Sequence, residues 1–435
     1  PYREPAARLI EAAFRDTNGW RKLMHWCDRI GPRLSGSPAL EQAIEWSAAE
    51  MRREGLENVR TLPVRTPHWV RGSESCELIA PVQAKIHMLG LGGSVATPPD
   101  GLEAEAVCVA SFDELDKLDP EKVRGRIVVY NQKWEGYGRS VQYRSIGAIR
   151  AAQKGAVGAL LRSVTGHSLR SPHTGMMRYQ DGVPKIPFAA ISVEDAERIA
   201  RLLGSGVSVR VKLTMEARTL PDAESANLIA EFPGRELPGE IVVLGGHSDS
   251  WDVGQGAHDD ASGCIACWQA VQLVRDLKLQ PRRTLRVCLW TNEENGLRGA
   301  EAYAAWAGGA AASHAAAIEM DSGAERPIGF GLTILGAPED VQARALARLQ
   351  AIASLLEPTG ATQMTLGGGG ADIGPLMRQG VPGIGHRTTG QHYMDWHHSE
   401  ADTLDKIDPE DFRRSTAALA VLSYVLAEMP DRLGA

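Results

Sequence analysis

Histidine and acidic residues are concentrated in the segment GGHSDSWDVGQGAHDDASG, which occupies residues 245–263. The segment directly follows the apolar run Ile-Val-Val-Leu at residues 241–244, so it begins where a predicted β-strand ends. Imidazole nitrogen and carboxylate oxygen are ligands that zinc accepts in proteins. An acid-rich surface loop would explain the same composition without any chemistry, and the rest of the chain has to decide between the two interpretations.

Two further predicted strands also end in acidic residues. The segment RTLRVCLWT leads to Glu293 and Glu294, and the segment HAAAIEMD ends at Asp321. A fourth group, His397 and His398, lies in a predicted loop near the end of the chain. A carboxylate can bridge two metal ions that lie about 3.5–4 Å apart. Together with the first segment, these residues could hold two zinc ions and leave room for water.

The elements that carry these residues alternate between strand and helix. From residue 218 onwards, short β-branched runs are followed by helical patterns up to a closing helix, FRRSTAALAVLSYVLAEM. This alternation predicts an α/β fold with a mostly parallel, mixed sheet and helices on both faces. Binding sites in such sheets lie just beyond the carboxyl ends of the strands, which is where the His, Asp and Glu residues stand.

The N-terminal region and the block at residues 98–217 are built differently. The segment AARLIEAAFRDT and the segment after Ser37, a candidate N-cap, predict helices, and NVRTLPVRTPHWVRG predicts a strand. Residues 98–217 contain short strands and helices but no cluster of His with carboxylates. We therefore expect a discontinuous catalytic domain at residues 1–97 and 218–435, with an inserted α/β or β-barrel module at residues 98–217.

Composition excludes several classes of protein. The chain has 435 residues, 43% of them hydrophobic and 23% charged, with a net charge of −7, which is an ordinary globular profile. The sequence contains no basic stripe of the kind that binds nucleic acid. It also contains no apolar run of about 18 residues, which a membrane-spanning helix would need. Six cysteines are too few for a disulfide framework at this length, and the Cys264–Cys267 pair is interpreted as two buried residues of a helix. Because the chain begins at Pro1 without a signal peptide, we expect a mature or trimmed form.

Four segments in order, HSDSWDVGQGAHDDASG, NEENGLRGAEAY, EMDSG and HHSEADTLDKID, resemble the co-catalytic zinc peptidases of the aminopeptidase and glutamate carboxypeptidase family. The segment RIGPRLSGSPALEQAIEWSAAEMRREGL near the start contributes to the same resemblance. The resemblance implies the zinc exopeptidase fold, a mostly parallel mixed sheet sandwiched by helices. It also implies that the inserted block is a protease-associated domain, which some members of the family carry.

The resemblance also assigns metal ligands, residue by residue. His247 and Asp321 would bind the first zinc ion, and Asp259 would bridge both ions. Glu294 and His398 would complete the second site, giving two Zn²⁺ per chain. His398 is preferred to its neighbour because it stands four residues before the Asp-Thr pair of the last motif, as in the family. Nitrogen and oxygen ligands alone do not distinguish zinc from cobalt or manganese.

Catalytic roles follow from the same motifs. Glu293 would be the general base, taking a proton from the attacking water and passing it to the leaving amine. Asp249 would accept a hydrogen bond from the imidazole of His247 and fix its tautomer. Several relatives carry a tyrosine near the substrate carbonyl where this chain has His397. Either His397 or Tyr393 could therefore contact the transition state.

The sequence thus predicts a zinc-dependent exopeptidase that acts on dipeptides or short peptides. Four alternatives remain open: an aminopeptidase on longer peptides, a carboxypeptidase on acidic C-termini, a single-zinc glutaminyl cyclase, and a non-catalytic, receptor-like relative. The complete ligand set argues against the last two. The resemblance further implies a homodimer and secretion or a periplasmic location, with a cytoplasmic location as the alternative. No nucleic acid or membrane is expected as a partner.

Overall fold

The computed structural model describes residues 2–434 and separates the chain into two compact units. The first unit contains the chain up to Thr66, Asp222–Tyr393 and the chain from Asp402 onwards. The second unit contains Pro67–Pro221 and, far along the sequence, Met394–Ala401. The two units are described separately below.

The helices and strands follow one another in the order that the sequence predicts, with additions in both units. The helices are α1 (Arg3–Arg15), α2 (Asn18–Met24), α3 (Pro38–Arg53), α4 (Phe112–Lys117), α5 (Tyr137–Gln153), α6 (Val193–Gly204), α7 (Ser262–Asp276), α8 (Arg298–Ala307), α9 (Glu339–Ala353), α10 (Gly374–Met377), α11 (Tyr393–Trp396) and α12 (Pro409–Glu428). The strands are β1 (Glu57–Val70), β2 (Glu74–Ala80), β3 (Ala84–Ile86), β4 (Met88–Gly90), β5 (Leu102–Val109), β6 (Ile127–Tyr130), β7 (Gly158–Arg162), β8 (Phe188–Ile191), β9 (Arg210–Met215), β10 (Arg218–Phe232), β11 (Leu237–His247), β12 (Arg283–Trp290), β13 (His314–Glu319), β14 (Pro327–Thr333), β15 (Gln363–Leu366) and β16 (Gly383–Thr388). A short π-helical segment occupies His25–Ile30, and Ala257–Ala261 forms a turn with non-helical backbone angles at Asp259 and Asp260. Short 3₁₀ segments occur at Pro120–Lys122, Gly308–Ser313, Glu357–Thr359 and Leu404–Lys406.

The first sheet is mixed, with parallel strands at its centre. Its strand order is β1-β10-β12-β11-β13-β16-β14-β15. Strand β11 runs parallel to β12 and β13, and β13 runs parallel to β16. Strand β10 is antiparallel to β12, and β14 is antiparallel to β16. The predicted α/β fold with a mixed sheet is therefore confirmed, and parallel pairing dominates where the candidate site lies.

Both faces of this sheet are covered by helices. Along β11, Val242 and Leu244 belong to a core cluster that includes α7 and α12. Ile241 and Val243 belong to a separate cluster that includes Tyr303 of α8. Because successive side chains of a strand point to opposite faces, a continuous apolar run is what a strand buried on both faces requires.

Helix α3 begins where its capping residue predicts. The Ser37 hydroxyl accepts a hydrogen bond from the backbone N–H of Leu40 at 3.2 Å, and Pro38 opens the helix. In α7, Cys264 and Cys267 are both fully buried and unlinked, which confirms their interpretation as core residues. None of the helices formed by residues 2–434 combines the length and apolar character needed to cross a membrane.

The second unit contains a sheet of its own in the order β3-β2-β9-β5-β6-β7-β8-β4. Strands β5 to β8 are parallel, while the other pairings are antiparallel. Ala148 and Ala151 of α5 pack against Val128 and Tyr130 of β6. The unit begins at Pro67, before the expected boundary at residue 98, because β2 pairs with β9 and so belongs to this sheet.

Candidate metal centre

Three neighbouring parallel strands of the first unit deliver the acidic residues to one edge of the sheet. Strand β11 ends at His247, whose Cα is paired with that of Trp290 at the end of β12. Gly245 of β11 is paired with Glu319 at the end of β13. The chain segments that leave these three strands therefore start side by side, as the carboxyl ends of parallel strands do.

His247 is the centre of the cluster. Its side chain is buried, with Nε2 3.1 Å from Asp259 Oδ1 and 3.4 Å from Asp321 Oδ1. Ligand atoms of His247, Asp259 and Glu294 all lie within 4.8 Å of one another, and so do those of His247, Asp260 and Asp321. Burial lowers the pKa of His247, but the carboxylates of Asp321 and Asp259 outweigh it and raise the pKa well above its usual value. The structure thus brings together the four ligands predicted in this unit.

The imidazole of His247 makes its second hydrogen bond to a different atom from the one expected. Nδ1 donates to the backbone carbonyl of Asp249 at 3.0 Å, whereas the nearer carboxylate oxygen of Asp249 is 3.8 Å away. A carbonyl only accepts hydrogen bonds, so Nδ1 carries a proton, and Nε2 is the nitrogen that faces Asp259 and would bind a metal ion. Asp249 is therefore the residue that accepts from the imidazole, but it does so through its backbone carbonyl and not through its carboxylate.

The Asp249 carboxylate is occupied by the residues that follow β12. Its Oδ1 accepts from the backbone N–H of Glu293 at 3.0 Å, and its Oδ2 accepts from that of Glu294 at 3.3 Å. The hydroxyl of Ser35 also donates to Oδ2 at 3.4 Å. Asp249 is fully buried, and burial raises its pKa. This carboxylate therefore orients the backbone that carries the predicted base and a predicted ligand.

Asp260 stabilises the turn between β11 and α7. Its Oδ2 accepts from the backbone N–H of His247 at 3.1 Å, and its Oδ1 accepts from Gly263 at 3.0 Å in the first turn of α7. The peptide bond between Asp259 and Asp260 is cis. A Cβ at Gly246 would lie 1.9 Å from Asp260 Oδ2, so a side chain at that position would displace this carboxylate. Asp260 thus caps the first turn of α7 with a side-chain oxygen.

Two functional residues were not singled out from the sequence. Asp402 accepts from the backbone N–H groups of His258 at 2.8 Å and Asp259 at 3.1 Å, and burial raises its pKa to about 7. Glu319 accepts from the backbone N–H of Ile373 at 2.8 Å, and burial again raises its pKa to about 7. An acidic residue among the apolar residues AAAI and Met that precede Asp321 was the available signal for Glu319.

The donor set of this edge fits zinc. Burial is the largest cause of a raised pKa at each of Asp249, Asp260, Glu293, Glu319, Asp372 and Asp402. So many buried carboxyl groups around one imidazole are ionised at neutral pH only if cations balance them. Zinc accepts both imidazole nitrogen and carboxylate oxygen, so the cluster has the chemistry of a zinc site.

Glu293 and Tyr393 lie within the electrostatic reach of this cluster. Burial raises the pKa of Glu293 well above its usual value, and the charges of Asp321 and Glu294 add to the effect. Burial also raises the pKa of the Tyr393 phenol, with further contributions from Asp259 and Asp321. The Tyr393 phenol therefore stays protonated and can donate a hydrogen bond beside the predicted ligands.

His397 and His398 belong to the second unit. Their rings are stacked with centroids 3.5 Å apart, and the His397 ring meets that of Tyr137 edge-on at 5.2 Å. Both residues are buried. Their predicted roles, His398 as a ligand and His397 as a substrate contact, remain predictions from the sequence.

Known proteins resemble the chain over nearly its whole length. Residues 227–423 match the model of peptidase family M28. Carboxypeptidase Q of Homo sapiens is 44% identical over 414 residues, covering 95% of this chain and 86% of that protein. Carboxypeptidase Q of Mus musculus is 45% identical over 435 residues, covering 99% of this chain and 91% of that protein. Within the family, the segments SWDVGQGA, GGGGADIGPLMRQGVPG and WHHS of this chain resemble the carboxypeptidase Q branch.

Solved structures agree with this result. A peptidase M28 precursor from Shewanella amazonensis is 33% identical, covers 99% of this chain and 98% of its own, and superposes with a TM-score of 0.94. A zinc aminopeptidase from Bacillus subtilis is 17% identical, covers 100% of this chain and 98% of its own, and has a TM-score of 0.69. At that identity the second comparison establishes a common fold and no more.

Proposed function

The chain belongs to peptidase family M28 and is a zinc-dependent metallopeptidase, and from this premise we propose that it is a di-zinc exopeptidase that hydrolyses dipeptides or short peptides. The observation that carries the proposal is the position of His247 Nε2, 3.1 Å from Asp259 and 3.4 Å from Asp321. One imidazole nitrogen thus lies between the predicted bridging ligand and another predicted ligand.

The residues that would hold the metal ions are those assigned from the sequence. His247 and Asp321 would hold one zinc ion, Glu294 and His398 the other, and Asp259 would bridge them. Bound zinc would polarise the scissile carbonyl, lower the pKa of a water molecule and favour the ionised form of the surrounding carboxyls.

The protein groups perform the proton transfers. Glu293 would take a proton from the attacking water and return it to the leaving amine. Its carboxylate is aimed by the hydrogen bond from its backbone N–H to Asp249. The Tyr393 phenol and the His397 imidazole are the two candidate donors to the carbonyl oxygen as negative charge develops on it.

Short peptides are the substrates that agree with both groups of relatives. The similar proteins are named carboxypeptidase Q, whereas a structure with the same fold is an aminopeptidase. A dipeptide has its free amino group and its free carboxylate on either side of a single peptide bond. Hydrolysis of dipeptides is therefore compatible with both activities.

The proposal is tested by measuring zinc per chain and peptide hydrolysis on one sample, before and after chelation. Two zinc ions, with chelator-sensitive release of free amino acids from dipeptides, are the expected result. One zinc ion without hydrolysis would instead favour a glutaminyl cyclase. Intact protein that binds zinc but hydrolyses neither dipeptides nor longer peptides would overturn the proposal.

The remaining assignments are also proposals. The second unit is proposed to be a protease-associated domain, on the grounds that it interrupts the catalytic unit in sequence and contains its own α/β sheet. A homodimer and a secreted or periplasmic location are proposed from the family resemblance.

A further inference from the structure

The segment Met394–Ala401, which contains His397 and His398, is a structural part of the second unit. It is separated in sequence from the rest of that unit, so its place there depends on noncovalent contacts. Several hydrogen bonds supply those contacts. Their partners within Pro67–Pro221 were not assigned any role from the sequence.

The backbone of the segment is held at three carbonyl groups. The hydroxyl of Thr165 donates to the carbonyl of Met394 at 2.7 Å. Nδ1 of the buried His173 donates to the carbonyl of His397 at 2.6 Å, and the backbone N–H of Thr174 donates to that of His398 at 2.8 Å. Two consecutive residues of the second unit thus bind the carbonyls of two consecutive histidines.

The conformation of His398 requires such support. Its φ is +59°, in the left-handed region that residues with a side chain adopt only at a cost. A backbone in this region persists where the surrounding structure determines it fully. The hydrogen bonds from His173 and Thr174 fix the carbonyls that precede and follow the Cα of His398, and so they supply that determination.

The side chain of His398 is fixed as well. Its Nδ1 lies 3.3 Å from the carbonyl of Thr174 and 3.3 Å from Nη1 of Arg144. Nη1 of Arg144 also donates to the Thr174 carbonyl at 3.4 Å, and Nη2 donates to the hydroxyl of Tyr137 at 2.9 Å. With a proton on Nδ1, His398 donates to the same carbonyl as Arg144, and Nε2 is left as the ligand atom.

Close packing leaves the Arg144 guanidinium little freedom to move. Arg144 is buried, and a Cβ at Gly175 would lie 2.3 Å from its Nη1. Gly175 has φ +136°, which also disfavours any residue with a side chain. The sequence following Thr174 therefore allows the guanidinium to approach the backbone closely.

We propose that Arg144, His173 and Thr174 are positioning residues that hold His398 in the conformation in which it binds zinc. This inference rests on the proposed function, since it takes His398 as a ligand of the second zinc ion. It gives the second unit a specific role, because side chains and backbone groups of that unit orient a predicted zinc ligand that belongs to the same unit.

The test uses the full-length protein and four variants. Arg144→Met removes the contacts with Thr174 and His398, and His173→Leu removes the donor to His397. His173→Asn is the conservative variant, because its amide nitrogen can take the place of Nδ1. Arg162→Met is the matched control: Arg162 belongs to the same unit but contacts Asn131 and Glu197.

Two quantities are measured on each variant: the two zinc affinities, by competition with chelators, and amide hydrogen exchange in the metal-free protein. Arg144→Met and His173→Leu should lose tenfold or more in one of the two affinities, that of the second site, while the other stays within twofold. Exchange at residues 394–401 and at Thr174 should be faster in both. His173→Asn and Arg162→Met should resemble the wild type.

Unchanged affinities and exchange in Arg144→Met and His173→Leu would overturn the inference, and so would an equal loss of both affinities, which indicates a general structural role. If either variant fails to fold, Arg144→Lys and His173→Asn bear the test, with the former expected to lose second-site affinity and the latter to keep it. A wild type that binds fewer than two zinc ions would refute the proposed function. The exchange measurements would still test whether Arg144 and His173 hold residues 394–401 in place.

Discussion

The Asp249 carboxylate accepts a hydrogen bond from the backbone N–H of Glu293 at 3.0 Å. The same carboxylate accepts from the next N–H, that of Glu294, at 3.3 Å. Because one buried side chain fixes both peptide groups, the two adjacent glutamates can have different roles, one as a base and one as a ligand.

Asp249→Ala should therefore damage catalysis and stability together. Two buried N–H groups would lose their acceptor, which costs about 2 kcal/mol of unfolding free energy, and kcat should fall about 100-fold as Glu293 loses its orientation. Urea unfolding and dipeptide kinetics measure the two effects. Ser35→Ala removes the 3.4 Å contact with the same carboxylate and the hydrogen bond from Asn292 Nδ2 at 3.1 Å, but both glutamate N–H groups keep their acceptor, so kcat should change far less. Unaltered kcat in Asp249→Ala would refute this positioning role.

Glu293→Gln should keep both zinc ions and lose most turnover. The amide cannot accept the proton of the attacking water, so kcat should fall about 10²–10⁴-fold while zinc per chain stays constant. Metal analysis and kinetics on the same preparation give the answer. Glu301→Gln, at an exposed position of α8, is the matched control. Loss of zinc in Glu293→Gln would mean that Glu293 and Glu294 have exchanged roles.

His314 should make the protein less stable in acid. Burial lowers its pKa to about 4, against about 6.5 in the unfolded chain. Between these values the unfolded chain binds more protons, so stability falls as the pH falls from about 6.5 to about 4, by up to about 3 kcal/mol. Urea unfolding across this range should have a smaller slope with pH in His314→Asn. An identical slope in His314→Asn would contradict the prediction.

Lys22 is part of a buried ion pair in the first unit. Its Nζ donates to Glu54 at 2.7 Å and to Gln269 at 2.7 Å, and lies 3.9 Å from the ring centroid of Trp268. Lys22→Met leaves a buried carboxylate without its cation and should cost about 3 kcal/mol of unfolding free energy. The double variant Lys22→Met/Glu54→Leu should recover most of that loss in urea unfolding. A double variant that is less stable than Lys22→Met would contradict the expectation that apolar packing can replace the pair.

Gly245 allows two central strands to approach each other. A Cβ at this residue would lie 1.7 Å from the backbone carbonyl oxygen of Cys288 in β12. Gly245→Ala should therefore separate the strands and cost about 3 kcal/mol or more, as severe overpacking does. Gly239→Ala in the same strand, where a Cβ meets nothing within 4 Å, should change stability by less than about 0.5 kcal/mol. Equal unfolding midpoints for the two variants would contradict this account.

The central strands and the long helices could be predicted because their patterns are local. The apolar run of β11, the cap of α3 and the buried cysteines of α7 each report their environment within a few residues. Strand β14 was not predicted, since its glycines resemble turn signals. In the structure they permit close strand pairing: a Cβ at Gly329 would lie 1.8 Å from the carbonyl oxygen of Gln363. The need for glycine at this position therefore depends on a partner strand in another part of the sequence, and the local pattern does not show it.

In the candidate site, too, the features that could be predicted are those with a signal that is local in the sequence. Residue types and motif order sufficed to select His247, Asp259, Glu294 and Asp321, which the structure brings together. The acceptor for Nδ1 of His247 could not be predicted, because it depends on the direction in which the Asp249 carbonyl points. The hydrogen bonds that buried acidic groups from distant segments make to the backbone around the site likewise could not be predicted, because they depend on the three-dimensional structure.

The division of the second unit between two distant stretches of sequence determines when it can be completed during synthesis. The hydrogen bond from His173 to His397 joins residues 224 positions apart, so it forms only after the chain between them has been synthesised and has left the ribosome. Contacts of such long range are slow to form, since a large loop must close first. The strands and helices of the second unit can assemble early, whereas the histidine pair reaches its place at a later step of folding.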